Sequence, residues 1–191
     1  MAVGFELPEN HLVFFEKGFK IKGFVIKSHQ VNDDAGAFDM PQKTGAKILI
    51  LEDIQDPGNA GTLIRTAAAF DFSGIIMTEK CADPFSPKCV QATAGSILSL
   101  WIRRTKNYLP LIQAWQKEGY KLVAADLNGA ENPETLHSFP KMMLALGNEA
   151  SGLSSTLLNI SDYKIRIPLN SKKVQSLNVA ACGAICMFLT R

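Results

Sequence analysis

The residues best suited to chemistry fall in three short stretches. The first is Asp56-Pro57-Gly58-Asn59-Ala60-Gly61, with Arg65 a few residues on. The second is Leu146-Gly147-Asn148-Glu149-Ala150-Ser151-Gly152-Leu153. The third runs Ile167-Pro168-Leu169-Asn170-Ser171-Lys172-Lys173-Val174-Gln175-Ser176-Leu177-Asn178. A forked, always-charged guanidinium suits a phosphate or a carboxylate. Gly147 and Gly152 permit backbone angles that other residues resist and let a ligand approach the main chain. Such backbone-rich loops suit a neutral or zwitterionic small molecule with an adenine and a ribose. Familiar catalysts are missing. His11, His29 and His137 have no metal-ligand partner at helical spacing, and there is no Gly-x-Ser-x-Gly elbow. Neither a Walker loop nor a Gly-x-Gly-x-x-Gly follows the first strand. Nucleophilic hydrolysis, ATP hydrolysis and hydride transfer therefore lose their usual support. The same polar side chains would also serve as ordinary loop and helix-cap hydrogen bonds, so residue types alone leave both readings open.

The elements that must position these stretches alternate. Ile48-Leu49-Ile50-Leu51 is a short apolar run, read as a buried strand. A helix is expected over 62–70, with Ile64, Ala67 and Ala68 inward and Arg65 in its first turns. Strands are expected at 74–77, 97–102, 121–125, 142–146 and 163–167. Helices are expected from Pro87 to about 94, over 109–118 with Gly119 as the stop, and over 154–160. Residues 136–140 read as loop. A last helix over 179–189 takes Ser176 or Asn178 as its cap. Alternation of this kind predicts a mostly parallel α/β sheet with helices on both faces. The second and third polar stretches leave the C-terminal ends of two strands, where ligands bind in such sheets.

Bulk properties fit one domain with a short appendage: 191 residues, 47% apolar, 20% charged, net charge +2. A pI of about 8.3 neither demands nor opposes nucleic acid. No apolar run reaches the ~20 residues of a membrane span, and residues 1–10 lack the apolar core of a secretory signal. Cys81, Cys89, Cys182 and Cys186 show no C-x-x-C spacing, so they read as free, buried thiols in a reducing cytoplasm with no metal bound. Residues 1–45 differ from the rest. Residues 11–15 and 24–26 are strand-like, and Lys17, Lys20, Lys22 and Lys27 interleave with Phe19 and Phe24. That pattern suits an RNA backbone or an amphipathic hairpin with its lysines in water.

The three stretches resemble the signature motifs of the SpoU/TrmH family of RNA ribose 2′-O-methyltransferases. Asp56-Pro57-Gly58-Asn59-Ala60-Gly61-Thr62-Leu63-Ile64-Arg65-Thr66 is similar to the first motif. Residues 146–153 are similar to the second, and Ile167-Pro168-Leu169 through Ser176-Leu177-Asn178-Val179-Ala180 to the third. Asp83-Pro84-Phe85-Ser86-Pro87-Lys88 and Ala94-Gly95-Ser96 also match, so the resemblance covers about 46–191. It implies a SPOUT-type parallel sheet with helices on both faces and a C-terminal deep trefoil knot, which no compositional pattern would suggest. It further implies S-adenosylmethionine bound by Leu146, Gly147, Asn148, Gly152, Ile167, Ser176, Leu177 and Ala180, largely through main chain. Catalytic positions are implied at Arg65, Asn59, Glu149, Ser176 and Asn178. Arg65 would activate the 2′-hydroxyl or grip its phosphate, and Asn59 would fix Arg65 and the loop. A homodimer is implied, with Arg65 of one protomer facing the cofactor loops of the other. The substrate is RNA, ribosomal ahead of transfer RNA, and Arg103, Arg104, Lys106, Lys172 and Lys173 either meet its phosphates or form a solvated surface. Two departures stand out: only about 45 residues precede the domain where many members carry an RNA-binding domain, and Ala150 replaces a glycine. The rival readings are a catalytically silent RNA-binding relative and a base-nitrogen methyltransferase of the same fold.

Overall fold

The computed structural model describes residues 46–191 and, before them, only the backbone of two strands, β1 (Lys20–Ile21) and β2 (Phe24–Val25), paired antiparallel. These belong to a compact unit, Met1–Met40, distinct from the unit Pro41–Arg191. The strand expected over 11–15 lies outside the described residues.

The larger unit is built in chain order from β3 (Lys47–Leu51), α1 (Pro57–Ala69), β4 (Gly74–Met77), α2 (Pro87–Thr93), β5 (Trp101–Arg104), α3 (Tyr108–Lys117), β6 (Lys121–Ala125), β7 (Met142–Leu146), α4 (Ser155–Ile160), β8 (Tyr163–Ile165) and α5 (Val179–Phe188). The strands form one parallel sheet in the order β5-β4-β3-β7-β6-β8. Residues 48–51 and 142–145 are fully buried. Burial on both faces explains why these strands read as unbroken apolar runs rather than alternating ones.

Three departures from the sequence reading have a local reason. Helix α1 starts at Pro57, because the Asp56 carboxylate accepts from the Asn59 N–H at 2.8 Å and proline tolerates the first helical position. Asn59 is therefore in the first turn of a helix, and Arg65 is in the third. After α2, Ala94 and Gly95 take left-handed angles (φ 48° and 88°), and a 3-10 turn, Ser96–Ser99, displaces the start of β5 to Trp101. Arg103 and Arg104 consequently end that strand instead of following it. A second 3-10 turn, Pro133–Ser138, occupies part of the expected loop. Of the two caps expected for α5, Asn178 takes the position, its Oδ1 accepting from the N–H groups of Ala180 at 2.9 Å and Ala181 at 3.3 Å.

Helix α5 lies directly on α1. A Cβ at Gly183 would stand 2.4 Å from a methyl of Leu63 and 2.7 Å from one of Leu146, so the absent side chain lets α5 reach both α1 and the end of β7. The outer face of α5 remains apolar: Ala181, Ile185 (39% exposed) and Phe188 (56%) follow one another at helical spacing. Helix α2 closes on α1 through another glycine. A Cβ at Gly61 would lie 2.5 Å from the Cys89 carbonyl oxygen and 2.6 Å from the Ala92 Cβ.

That contact yields a prediction. Gly61→Ala gains about 1 kcal/mol of helix propensity but overpacks against backbone that has nowhere to go, a cost at or above the usual 1–3 kcal/mol. A net loss of about 2 kcal/mol is expected in urea unfolding; an unchanged or raised midpoint would contradict the close α1–α2 approach.

Candidate active site

The site is built where the sheet order turns back on itself. Strand β3 pairs with β4 on one side and β7 on the other, and Leu51 stands opposite Leu146 at their shared C-terminal ends. A crevice opens at such a reversal because the loops leaving the two strands diverge. Here the two loops are joined instead of splayed. The Glu52 N–H donates to the Leu146 carbonyl at 2.9 Å.

Three predicted residues meet in one hydrogen-bonded chain. Asn178 donates from Nδ2 to Asn59 Oδ1 at 3.1 Å, and Asn59 donates from Nδ2 to Glu149 Oε1 at 2.7 Å. The direction is imposed from one end. Free N–H groups at the start of α5 require an acceptor, so Asn178 must turn its oxygen toward them and its amide nitrogen toward Asn59. Asn59 must then offer its oxygen to Asn178 and its nitrogen to the carboxylate. The chain links α1, the loop after β7 and the cap of α5, which lie 90 and 119 residues apart in sequence. Within one chain, then, Asn59 holds Glu149 and Asn178 rather than Arg65. Arg65 lies six residues further along α1, about 240° round and about 9 Å along the helix axis. It is exposed and makes no hydrogen bond or ion pair among the described residues.

The loop over 147–153 is folded on its own backbone. Asn148 and Gly152 exchange main-chain hydrogen bonds at 3.1 and 2.9 Å. Asn148 Oδ1 accepts from the N–H groups of Ala150 and Ser151, and its Nδ2 donates to the Asp53 carbonyl at 2.9 Å. Both ends of this amide are thus spent on loop shape. Gly152 has φ 69°, a left-handed angle that favours glycine. Gly147 is needed for a reason other than ligand approach: a Cβ there would lie 2.3 Å from the Gly152 carbonyl carbon and 2.4 Å from the Leu153 nitrogen. The loop's own return strand fills that side. Leu146 and Ala180 are buried, with the Leu146 side chain in the core, while Ile167 and Leu177 are half-buried and Ser176 is exposed. Gly147, Ile167 and Leu177 make no main-chain hydrogen bond among the described residues.

Sequence reasoning missed the support beneath this loop. Glu52, only 5% exposed, accepts from Tyr108 Oη at 2.6 Å, Ser154 N at 2.6 Å and Ser154 Oγ at 2.7 Å. Burial, and then the hydrogen bond to Glu52, push the Tyr108 phenol up to about 12. Asp53 takes a left-handed φ of 58°, held by Thr78, whose hydroxyl accepts from the Asp53 N–H at 2.8 Å and donates to its carboxylate at 2.6 Å. Nothing in the order of residues pairs position 52 with 108 or 154; only a polar residue at the end of an apolar strand hinted at it. The basic residues are partly engaged. Arg104 donates to the carbonyls of Glu79 and Cys81, Lys106 pairs with Glu79, and Lys88 pairs with Asp56 at 3.2 Å. The Asn59 N–H, and then Lys88, hold the Asp56 carboxyl below its usual range. Lys172 and Lys173 are exposed. The four cysteines are free, and no His/Cys/Asp/Glu cluster among the described residues could hold a metal. None of the described helices is long and apolar enough to cross a membrane.

Comparison with known proteins places this geometry. The model of the SpoU rRNA Methylase family matches residues 46–188. The chain is 34% identical over 143 residues to an uncharacterised tRNA/rRNA methyltransferase, slr1673, of Synechocystis sp., covering 75% of this chain and 52% of that one. It is 33% identical over 161 residues to the 23S rRNA (guanosine(2553)-2′-O)-methyltransferase RlmP of Bacillus subtilis, covering 82% and 64%. Among solved structures, an AdoMet-bound rRNA methyltransferase from Sinorhizobium meliloti superposes with a TM-score of 0.70 at 34% identity, covering 78% of this chain and 57% of that one. The SpoU methyltransferase AviRb from Streptomyces viridochromogenes, in complex with AdoMet, gives 0.72 at 26% identity, covering 87% and 62%. The chain thus spans between about half and two thirds of the length of these relatives.

Two outcomes follow from the hydrogen bonds. Asn178→Ala should cost about 1 kcal/mol in urea unfolding through the lost cap. Asn178→Asp keeps the cap acceptor and should cost less, yet it removes the donor to Asn59, whose side-chain amide should then exchange faster with solvent by NMR. Equal stability losses with unchanged exchange would contradict the chain as described. The second concerns Tyr108. Its folded pKa is raised, so its contribution to stability is present below about 10, the unfolded value, and is lost as pH rises through about 12. The tyrosinate absorbance of the wild type minus that of Tyr108→Phe should have its midpoint near 12; a midpoint near 10 would contradict the burial.

Proposed function

The chain belongs to the SpoU rRNA methylase family, and from that premise we propose that it is an S-adenosylmethionine-dependent methyltransferase acting on a ribose 2′-hydroxyl of structured RNA, ribosomal RNA ahead of transfer RNA. The observation that carries the reading is the Asn178–Asn59–Glu149 chain, which joins one residue from each motif on the crevice between β3 and β7. The 2′-O specificity of RlmP and the AdoMet bound in the Sinorhizobium meliloti and AviRb structures support the same chemistry.

The residues present fit the cofactor. The uncommitted main-chain groups of Gly147, Ile167 and Leu177 supply donors and acceptors suited to the edges of an adenine and the hydroxyls of a ribose. Gly152, Leu146, Asn148, Ser176 and Ala180 frame them, Asn148 by fixing the loop and Leu146 and Ala180 by their packing. When bound, S-adenosylmethionine supplies a methyl group on a sulfonium, which departs as a neutral thioether. The protein's part is positioning. Asn59 and Asn178 fix the Glu149 carboxylate, and Ser176 stands exposed just before the α5 cap to meet substrate. Arg65 supplies the cation. Because guanidinium keeps its protons, its role is to hold the phosphate beside the 2′-hydroxyl and to stabilise charge developing on that oxygen.

Arg65 acts in a homodimer. The apolar strip Ala181, Ile185 and Phe188 on α5 runs beside α1, which carries Arg65, and supports a partner seated there. Residues 46–191 are the catalytic domain and residues 1–45 an RNA-contacting extension. We also read the C-terminal path as a deep trefoil knot: β8 lies at the sheet edge, yet α5 packs back on Leu63 and Leu146 near its middle. Pulling the chain by its two ends should leave a contour length short of full extension by the trapped knot; full extension would contradict it. Four free thiols are consistent with a cytoplasmic setting.

The test is complementation between defective chains. Arg65→Ala should bind S-adenosylmethionine normally in calorimetry and lose methyl transfer to RNA by about a hundredfold or more. A Gly147→Val chain should fail to bind the cofactor. Mixing and re-associating the two inactive proteins should restore about a quarter of wild-type activity, since half of the dimers then hold one intact site. No restoration would overturn the shared site, and near-normal turnover of Arg65→Ala would overturn the role of that residue.

A further inference from the structure

Glu52 has no part in the machinery described so far, yet it is the most buried carboxylate among the described residues, at 5% exposure. Its three recorded contacts come from hydroxyl and N–H donors, Tyr108 and Ser154, and not from a cation. A buried carboxylate needs every such donor, and an apolar residue of the same shape would often stabilise a fold better. What the carboxylate does provide is direction. Both of its oxygens take Ser154, one from the main chain and one from the side chain, so the position of residue 154 is fixed against the end of β3. The Ser154 hydroxyl accepts from the Leu157 N–H at 3.2 Å, which leaves its proton pointing at Glu52. The other end of the same loop is held by the neighbouring residue. Asn148 donates to the carbonyl of Asp53, whose left-handed turn is locked by Thr78.

We propose that Glu52, with Tyr108, is a positioning residue for cofactor binding, clamping the closing end of loop 147–153 onto β3 while Asp53 clamps the opening end. The inference rests on the cofactor reading given above. The loop has few other anchors: Glu149, Ala150, Ser151 and Gly152 are exposed, and the remaining holds are the Asn59–Glu149 bond and the buried Leu153. Tyr108 enters from the start of α3, so the clamp also ties the loop to an element that otherwise stands outside the site. Its phenol, pushed up to about 12, remains a donor throughout the working pH range.

The test uses the full chain and reads affinity and loop motion, not turnover alone. Glu52→Ala should speed amide hydrogen exchange over 147–154 in cofactor-free protein, and weaken S-adenosylmethionine binding in calorimetry, each by about tenfold or more. Turnover at saturating cofactor should stay within a fewfold of wild type, because Asn59, Glu149 and Arg65 are untouched. Glu52→Gln should recover most of the affinity, since its carbonyl can still accept from the Ser154 N–H while the two hydroxyls reverse. Tyr108→Phe removes one of three donors and should give a smaller change in the same direction, which keeps the test alive if Glu52→Ala does not fold. Wild-type binding with unchanged exchange and affinity in folded Glu52→Ala, or in Tyr108→Phe where the alanine variant does not fold, would overturn the clamp alone. Wild-type protein that fails to bind S-adenosylmethionine would overturn the cofactor reading, and this inference with it.

Discussion

Everything at this site depends on β3 and β7 being parallel neighbours. Their pairing brings Leu51 beside Leu146, residues nearly a hundred positions apart in sequence, and so delivers two polar loops to one rim. A parallel ladder ends with its strands' carbonyls and following N–H groups side by side, which is why Glu52 can bond the Leu146 carbonyl as both strands finish. From there the loops cannot diverge freely. Glu52 and Asp53 grip the loop after β7 at its two ends, and α1 and α5, pressed together at Gly183, bring Asn59 and Asn178 within hydrogen-bonding distance. A strand slip or a larger residue at position 183 would separate groups that no local interaction could reunite.

Within that frame, polarity flows from a helix end. The first N–H groups of α5 are obligatory donors. Their demand orients Asn178, which orients Asn59, which presents an amide to Glu149. An exposed carboxylate is thereby steered by backbone chemistry at the far end of the chain. Such an arrangement costs little stability, because each amide satisfies one donor and one acceptor, and the exposed Arg65 takes no part in it. The contrast with Glu52 is instructive. Glu149 sits at the surface and meets one amide, whereas Glu52 is buried and needs a tyrosine, a serine hydroxyl and a main-chain N–H to hold it.

Much of this was legible in the sequence. Continuous apolar runs at 48–51 and 142–146 read as buried strands because burial on both faces removes the polar alternation, and Gly119 (φ 91°) marked its helix end correctly. The three polar stretches were legible as motifs, and the structure joins Asn59, Glu149 and Asn178 directly. What failed were matters of local competition and of distance. The start of α1 was placed too late because a Pro-Gly-Asn run looks like a turn until its capping carboxylate, Asp56, is recognised. That the loop's own backbone also requires glycine at 147 was not visible in the sequence. The Glu52–Tyr108–Ser154 contacts could not be read at all, since they join residues 56 and 102 apart through the fold alone.

The measurement that bears most directly on the central claim is the chemical position of the transferred methyl group. Purified protein would be incubated with methyl-labelled S-adenosylmethionine and with separated ribosomal and transfer RNA from cells lacking it, and the labelled RNA then cleaved by alkali. The account predicts label in a dinucleotide that resists alkaline cleavage, because a methylated 2′-oxygen cannot attack the adjacent phosphate, and it predicts one dominant position. Label recovered in alkali-sensitive mononucleotides would put the methyl on a base and contradict the ribose assignment; no label from protein that binds the cofactor would contradict methyl transfer to either RNA.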